Sequence, residues 1–197
     1  MEFRLLYKGS LPSNARPTVK HEIRKQFHKQ LVQYWKEHPH LKMLMGSGNV
    51  FGAQFGDPEN AVTKLGKKFN RASHDFIPLV REQEETYCTL DILFLRRDTP
   101  GRIITSGGDL DNRLKTLFDA LKVPEGTSGL PAAPEPGFNP IFCLLEDDKQ
   151  ITSLHVTTDR LLTPTEEQEQ SHVFLVIHVH VYRGTNVAQV TGQPGSL

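Results

Sequence analysis

The chain has 197 residues, of which 37% are hydrophobic and 23% charged, and its formal net charge is zero. These values are typical of a folded globular domain and argue against a disordered chain. No stretch approaches the ~20 continuous apolar residues that cross a bilayer, so we expect no membrane partner. The first residues show no signal-peptide pattern, which predicts a cytoplasmic protein.

The charge is distributed unevenly along the chain. Residues 1–75 carry 13 Lys/Arg and 6 Asp/Glu, whereas residues 76–197 carry 10 and 17. A basic half can bind a polyanion, and an acidic half can hold a cation. The two halves can equally attract each other and fold together, and both interpretations remain open at this stage. The two cysteines, Cys88 and Cys143, lie inside apolar runs and are predicted to be buried free thiols.

Hydrophobic periodicity predicts the elements of the first half. Residues 1–8 alternate between apolar and polar, which indicates a half-buried strand. After a turn at 11–17, a helix is predicted from Thr18 as its N-cap to about residue 38, and Pro39 ends it. Residues 46–73 are predicted to be irregular, with a basic run at Lys64, Lys67, Lys68 and Arg71.

The second half is predicted as strands around one further helix. The helix covers 109–122 and follows a glycine-bearing loop at 100–108. Strands are predicted at 86–95, 151–157 and 172–182. Residues 123–140 hold five prolines and three glycines, and this length suggests an excursion from the fold. The order of strands and helices predicts one α+β domain over residues 1–183, with a single mixed or antiparallel sheet and two main helices. A disordered tail is predicted at 184–197.

Acidic residues cluster where the second helix begins. Because helix residues rotate by about 100° each, Asp109 and Asp111 can face one ion only if Asp109 lies in extended backbone before the first turn. Gly107 and Gly108 give the freedom for that approach. A lysine and a further aspartate, Lys115 and Asp119, continue along one helix edge from Asp111. A second acidic run, Glu146-Asp147-Asp148, lies downstream.

Carboxylates beside a lysine suit phosphodiester hydrolysis. Magnesium takes oxygen ligands, and hydrolysis uses a metal to activate water and positive charge to stabilise the phosphate. Other interpretations stay open. An acidic pair at a helix start is often only a cap, Asp111 and Lys115 form an ordinary i,i+4 pair, and the downstream run can be a solvated turn.

The string DLDNRLKTLFDALK, with DDKQI downstream, resembles the RusA family of Holliday-junction resolvases. That family's pattern has an acidic pair in D-L-D-N, a lysine four residues after the second aspartate, then D-A-L, and later D-D-x-Q before an apolar residue. The opening strand followed by Leu11-Pro12-Ser13-Asn14 is similar too. The likeness follows the whole chain in element order, but its specificity lies in these motifs.

The resemblance implies a RusA-like fold and a magnesium-dependent endodeoxyribonuclease. Asp109, Asp111 and Asp148 would bind Mg²⁺, with Asp147 as an alternative ligand and Glu146 as a weaker one. Lys115 would contact the scissile phosphate. The resemblance further implies a homodimer that nicks four-way junctions or other branched DNA in recombination and repair.

Three departures from the family pattern stand out. The segment before the acidic pair bears on junction preference, the longer segment between the acidic motifs bears on how Asp148 reaches the site, and the irregular stretch 46–73 looks like an addition. Thr105-Ser106-Gly107-Gly108 stands where related sequences often carry arginines, and the segment between the acidic motifs is much longer here. The alternative function is a non-catalytic DNA-binding protein on the same scaffold, and purely structural carboxylates are a third interpretation.

Two further surfaces each allow two interpretations. The basic edge of the first helix, with Lys20, Arg24 and His28, is either a phosphate-tracking surface or a solvated face. His178 and His180 share one face of a strand, so they form either a zinc pair or part of an exposed sheet face.

Overall fold

A computed structural model describes residues 1–46, 61–97, 109–162 and 172–184. The helices are α1 (Pro17–Glu37), α2 (Pro39–Met45), α3 (Ala61–Lys68) and α4 (Asp109–Leu121). The strands are β1 (Glu2–Ser10), β2 (Phe76–Val80), β3 (Thr86–Arg96), β4 (Ile141–Leu145), β5 (Ile151–Arg160) and β6 (His172–Arg183). A short 3-10 helix, Asp148–Gln150, precedes β5.

The described strands form two sheets. The larger is mixed, with the strand order β1-β6-β3-β5. Within it, β6 runs antiparallel to both β1 and β3, whereas β5 runs parallel to β3. The α+β class and the mixed sheet are confirmed, but the prediction of a single sheet is wrong, because β2 and β4 pair in parallel as a second sheet. Both are fully buried five-residue strands, so they lack the alternation that reveals a half-buried strand.

The apolar stripe of α1 fills the space between the helices and the sheets. Ile23, Phe27, Leu31 and Trp35 are each at most 2% exposed. The Trp35 ring meets Phe142 of β4 edge-on, with centroids 5.3 Å apart. Trp35 is therefore a core residue. This core fixes α1 against α4, which carries the first acidic motif, and against β4, which leads into the second.

The start of α1 differs from the prediction. The helix begins at Pro17 rather than after a Thr18 cap, and Arg16 occupies the N-cap position with extended backbone. Proline suits the first helical position because its missing N–H has no partner there in any case. The same preference explains why Pro39 ends α1 and also begins α2, a helix that was not predicted.

Part of the stretch predicted to be irregular is helical. The basic run at Lys64, Lys67 and Lys68 lies on α3, and Gly66 of that helix is buried against Asp75 and Ile77. The predictions for residues 47–60, for the loop at 100–108 and for the tail from residue 185 fall outside the described residues.

The proline-rich segment 123–140 folds back onto α1 instead of leaving the domain. Glu135 accepts hydrogen bonds of 2.9 Å from Lys25, and the Phe138 ring lies 5.4 Å from the same ammonium. Gly129 has a φ of +79°, and a Cβ there would lie 2.4 Å from the backbone of Pro17. A left-handed glycine therefore allows the segment to cross closely over the start of α1.

Both cysteines are buried free thiols, as predicted. Burial raises the pKa of Cys88 and of Cys143 to about 12, so neither is a reactive thiolate near neutral pH. Among the described helices, none is long and apolar enough to cross a membrane.

Candidate functional site

The loop after β1 holds the first part of α4 in place. Arg113 donates a hydrogen bond to the carbonyl of Leu11, and the Ala15 N–H donates to the Thr116 hydroxyl at 3.3 Å. Arg113 and Thr116 are both buried, whereas Asp111 and Lys115 are exposed. Two of the stretches that carry the family resemblance are thus in direct contact, and α4 turns its acidic edge outward.

A buried arginine anchors the other end of α4. The Arg24 guanidinium donates to the carbonyls of Lys122 at 3.1 Å and Asp119 at 2.6 Å. It thereby satisfies acceptors that a helix C-terminus leaves open. Burial lowers the pKa of Arg24. Arg24 and His28 are only 4% and 5% exposed, so for these two residues both interpretations of the helix edge, a phosphate-tracking surface and a solvated face, are wrong.

The two adjacent aspartates of the second motif have different surroundings. Asp147 caps the 3-10 helix: its carboxylate accepts from the Lys149 N–H at 3.0 Å, and its own N–H donates to the Gln150 side chain at 3.1 Å. The hydrogen bond from Lys149 is the main cause that lowers the pKa of Asp147. Asp148 instead faces Lys122, with 3.4 Å between its Oδ2 and the ammonium. The cap role therefore belongs to Asp147, and the more available carboxylate is Asp148.

Lys122 stands at the centre of a cluster of carboxylates. Its Nζ lies 2.9 Å from Glu125, 3.4 Å from Asp148 and 3.6 Å from Asp119. Burial on its own lowers the pKa of Lys122, but the three acidic neighbours outweigh it, so the pKa is raised. Asp119 also receives a 2.7 Å ion pair from Lys20 of α1, so two ammonium groups hold this carboxylate.

A cleft of about 400 Å³ opens beside this cluster, between the start of α1, the edge of α4 and the loop after it. Its lining includes Lys20, Lys115, Asp119 and Lys122. Lys20 and Lys122 are paired with carboxylates, whereas Lys115 forms no hydrogen bond or ion pair with any described residue. The exposed ammonium of Lys115 is therefore available to an anion that enters the cleft.

A second, smaller cleft also has Lys122 in its lining. It has a volume of about 160 Å³, and its lining includes Phe69, Arg71, Glu146 and Asp147. Arg71 donates to the carbonyl of Pro124 at 3.2 Å, which ties the end of the α3 region to the loop behind the cluster. Lys122 thus lines two clefts that both carry charged groups.

The structure brings together only some of the side chains that the sequence motifs indicated. α4 already begins at Asp109, so the expected extended backbone at that residue is not observed, and its side chain is outside the described part. Asp111 has no partner among the described residues. Asp111 and Asp119 are ~12 Å apart along the helix axis, too far to share one Mg²⁺ with ligand distances of about 2.1 Å. The contacts of Asp148 lie at the Asp119 end.

The donor chemistry of the site suits magnesium, although the described side chains alone do not complete a ligand set. Asp111 is exposed, and the side chain of Asp148 is 46% exposed, so both offer carboxylate oxygens of the kind that Mg²⁺ takes. Within the described ranges, no three His, Cys, Asp or Glu side chains are grouped closely enough to hold a metal ion. The side chain of Asp109 is not among them.

Lys122 and the role of Lys20 were not predicted from the sequence. Lys122 follows Asp119 at i+3, a spacing that indicates an ion pair on a helix face, so part of the cluster could have been found. The contact with Lys20 joins residues 99 positions apart and leaves no local signal.

The histidines of β6 are part of an exposed sheet face. His178 contacts the Glu2 carboxylate at 2.7 Å, and the His180 ring stacks on Tyr182 with centroids 5.8 Å apart. In the described residues neither histidine belongs to a possible metal group, which favours the interpretation as a sheet face.

Comparison with known proteins finds no family model, no curated protein and no solved structure that matches the chain. A function is therefore inferred from the residues and the geometry of the cleft.

Proposed function

We propose that the protein is a magnesium-dependent, structure-selective endodeoxyribonuclease of the RusA type. It would nick Holliday junctions or other branched DNA in recombination and repair, as a cytoplasmic homodimer. A homodimer fits this substrate because two symmetric nicks require two equivalent sites.

The observation that carries the proposal is the meeting of the two acidic motifs. The Asp147-Asp148 turn lies against the end of the same helix that bears Asp111 and Lys115, and Lys122 contacts both Asp148 and Asp119. A solvated turn or an isolated helix cap gives no reason for carboxylates of both motifs to meet at one lysine, Lys122, which lines a cleft beside each motif.

The roles follow from exposure and partners. The resemblance implies Asp109, Asp111 and Asp148 as the Mg²⁺ ligands. Asp148 contacts Lys122 near the end of α4, whereas Asp111 lies near its start, so one ion would reach both carboxylates only after a rearrangement. Asp147 is the weaker candidate because its carboxylate already caps a turn. When bound, the ion supplies activation of a water molecule and neutralises charge on the phosphate. Asp119 stays outside the ligand set, since Lys20 and Lys122 already pair with it.

Lys115 is the residue we assign to the phosphate. Its ammonium lines the cleft and is not engaged by a carboxylate, so an entering phosphodiester meets an uncompensated positive charge. Negative charge on the phosphate oxygens grows during hydrolysis, and a fixed cation stabilises that stage more than the ground state.

The second candidate function is a non-catalytic DNA-binding protein on the same scaffold. It is favoured by one observation: the described carboxylates form no three-ligand group. Such a protein would retain the basic groups of α3 and of the cleft, but its affinity for DNA would not depend on Asp111.

The deciding experiment is a nicking assay on synthetic four-way, forked and linear DNA, with and without Mg²⁺. We expect nicks in the branched substrates only when Mg²⁺ is present. Asp111→Asn should abolish nicking while DNA binding persists, because the change removes a metal-binding charge and also repulsion of the phosphate. Asp91→Asn, an exposed carboxylate on β3, is the matched control. Binding without nicking by the unaltered protein would favour the non-catalytic alternative.

A further inference from the structure

The position of Lys122 is set by its backbone. Its N–H donates to the Phe118 carbonyl at 3.0 Å, and its carbonyl accepts from Arg24 at 3.1 Å. The next residue, Val123, donates to Leu145 at the end of β4, also at 3.0 Å. The chain is therefore fixed on both sides of Lys122 whatever its side chain does.

The position of Asp148 is set independently of Lys122. It begins the 3-10 helix that the Asp147 cap and the Gln150 side chain close. The Lys122 side chain is only 8% exposed, whereas those of Asp148 and Glu125 are 46% and 83% exposed. A nearly buried ammonium thus meets carboxylates that remain open to solvent on their other side.

We propose that Lys122 is an internal counter-cation of the site, and that a divalent ion which binds Asp148 must compete with it. The inference rests on the proposed function, because Asp148 is one of the carboxylates assigned there to Mg²⁺. One ammonium faces three carboxylates, so without a metal it offsets their mutual repulsion. When an ion approaches Asp148, the same positive charge opposes it.

A counter-cation and a residue that merely positions Asp148 predict opposite effects on Mg²⁺ affinity when Lys122 is replaced. If Lys122 held Asp148 in place, its loss would weaken metal binding. Because both backbones are fixed by other contacts, loss of the charge alone should strengthen it. A partly exposed ion pair contributes up to about 1 kcal/mol, which corresponds to a change in affinity on the order of fivefold.

The test is calorimetric titration of the full-length protein with Mg²⁺ alone, without DNA. Lys122→Met removes the charge and keeps a side chain of similar length, and it should bind Mg²⁺ on the order of fivefold more tightly. Lys122→Arg keeps the charge and should bind like the unaltered protein. Lys149→Met is the matched control, since Lys149 is adjacent to Asp148 in sequence but pairs with Glu82 at 2.7 Å.

Thermal unfolding supplies a second readout. Without metal, Lys122→Met should have a lower Tm than the unaltered protein, and Mg²⁺ should raise that Tm by more than it raises the Tm of the unaltered protein. If Lys122→Met does not fold, Lys122→Gln tests the same loss of charge with a polar side chain. Mg²⁺ affinity that is unchanged or weaker in the charge-removing variant overturns the inference, as does the absence of Mg²⁺ binding in both proteins.

Failure of the proposed function has a different signature. An unaltered protein that binds Mg²⁺ but nicks no DNA contradicts the nuclease assignment and leaves the counter-cation role standing. A protein that nicks branched DNA, but whose Lys122→Met variant has unchanged Mg²⁺ affinity, contradicts only the role of Lys122.

Discussion

Asp147 and Asp148 are neighbours in sequence, yet their carboxylates have different roles. The Asp147 carboxylate accepts a backbone hydrogen bond and closes a turn, whereas Asp148 faces the ammonium of Lys122. Two chemically identical side chains thus have different roles because they meet different partners: Asp147 has a structural role, and Asp148 has a candidate catalytic role. A similar contrast separates the free Lys115 from the paired Lys122 in one cleft.

A pair of substitutions tests this division of roles. Asp147→Ala should lower the free energy of unfolding by about 1 kcal/mol, the usual cost of losing a cap, and should leave nicking measurable. Asp148→Ala should change stability little and should abolish nicking. Urea denaturation and the nicking assay give the two readouts, with Asp147→Asn as a control that keeps a capping side chain. Loss of nicking in Asp147→Ala with nicking retained in Asp148→Ala would reverse the assignment.

Lys115 should matter more for the rate of cleavage than for binding. Lys115→Ala removes one charge at the reacting phosphate, whereas many contacts along the DNA backbone share the binding free energy. We therefore expect a fall of tenfold or more in single-turnover rate, on the order of the 1.4 kcal/mol that such a contact contributes, with a smaller loss of affinity. Lys36→Ala, an exposed lysine of α1 outside the cleft, is the control. Equal losses in rate and affinity would make Lys115 a binding residue only.

At the scale of elements, the attachment of the segment 123–140 to α1 depends on a neutral histidine. The Phe142 N–H donates to Nδ1 of His28 at 2.9 Å, and Nε2 of the same ring lies 3.2 Å from the Gly137 carbonyl. A ring that accepts at Nδ1 and donates at Nε2 is uncharged. Burial lowers the pKa of His28, and burial followed by the charge of Arg24 lowers the pKa of His21 to about 4.

These shifts predict a loss of stability in mild acid. Because the pKa values are lower in the folded chain, the unfolded chain takes up protons first as the pH falls below the ordinary value of about 6.5. The stabilisation present above that pH is then lost progressively towards pH 4, the folded value of His21. Urea denaturation across this range should show the free energy of unfolding falling with pH.

Glutamine substitutions test whether the two buried histidines cause the dependence of the free energy of unfolding on pH. A His21→Gln, His28→Gln double variant should have a shallower dependence on pH, since an amide does not titrate and can still accept the Phe142 hydrogen bond. His155→Gln, an exposed histidine of β5, should keep the slope of the unaltered protein. An identical slope in the double variant would place the acid sensitivity elsewhere.

At the scale of the whole molecule, some of the basic residues in the first half form ion pairs with acidic residues in the second half. Lys20 and Lys25 of the basic half pair with Asp119 and Glu135 of the acidic half at 2.7 and 2.9 Å. These contacts support the interpretation that the two halves attract each other. Fewer basic groups than the sequence suggested remain for DNA, and those of α3 are exposed.

The lysines of α3 should contribute to DNA affinity without contributing to selectivity. Replacing Lys64, Lys67 and Lys68 by Gln should weaken binding to a four-way junction and to a linear duplex by similar factors. It should also reduce the salt slope by up to about 0.9 for each phosphate that the variant no longer neutralises. Replacement of Arg4, Lys8 and Arg160, three exposed basic residues of β1 and β5, is the matched control. Weaker binding of the junction alone would contradict this view of α3.

The neutral segment before the acidic pair leads to a related expectation. Thr105–Gly108 stands where RusA-family sequences often carry arginines. If the proposed function holds, fewer cationic side chains would meet the centre of a junction, so binding should depend on surfaces that grip any duplex arm. Titration of a four-way junction and a matched duplex across a range of salt measures the preference. A preference above roughly a thousandfold at physiological salt would contradict the expectation, because that is the span of a truly selective binder.

The sequence by itself determined the elements that have a strong period. The strands β1, β3 and β6 and the helices α1 and α4 were predicted within a few residues, because one buried face imposes a repeat of 2 or 3.6 on the chain. Both acidic motifs are visible in the sequence, but the backbone expected at Asp109 was wrong, because α4 already begins at that residue.

Only the tertiary structure decided which of these residues meet. β2 and β4 have no alternation because both of their faces are buried. Whether Arg24 faces solvent, and which aspartate faces Lys122, depends on contacts between residues far apart in the chain. Periodicity records which face of an element is buried, whereas the partner of each side chain depends on how the elements are placed against one another, and no local pattern contains that placement.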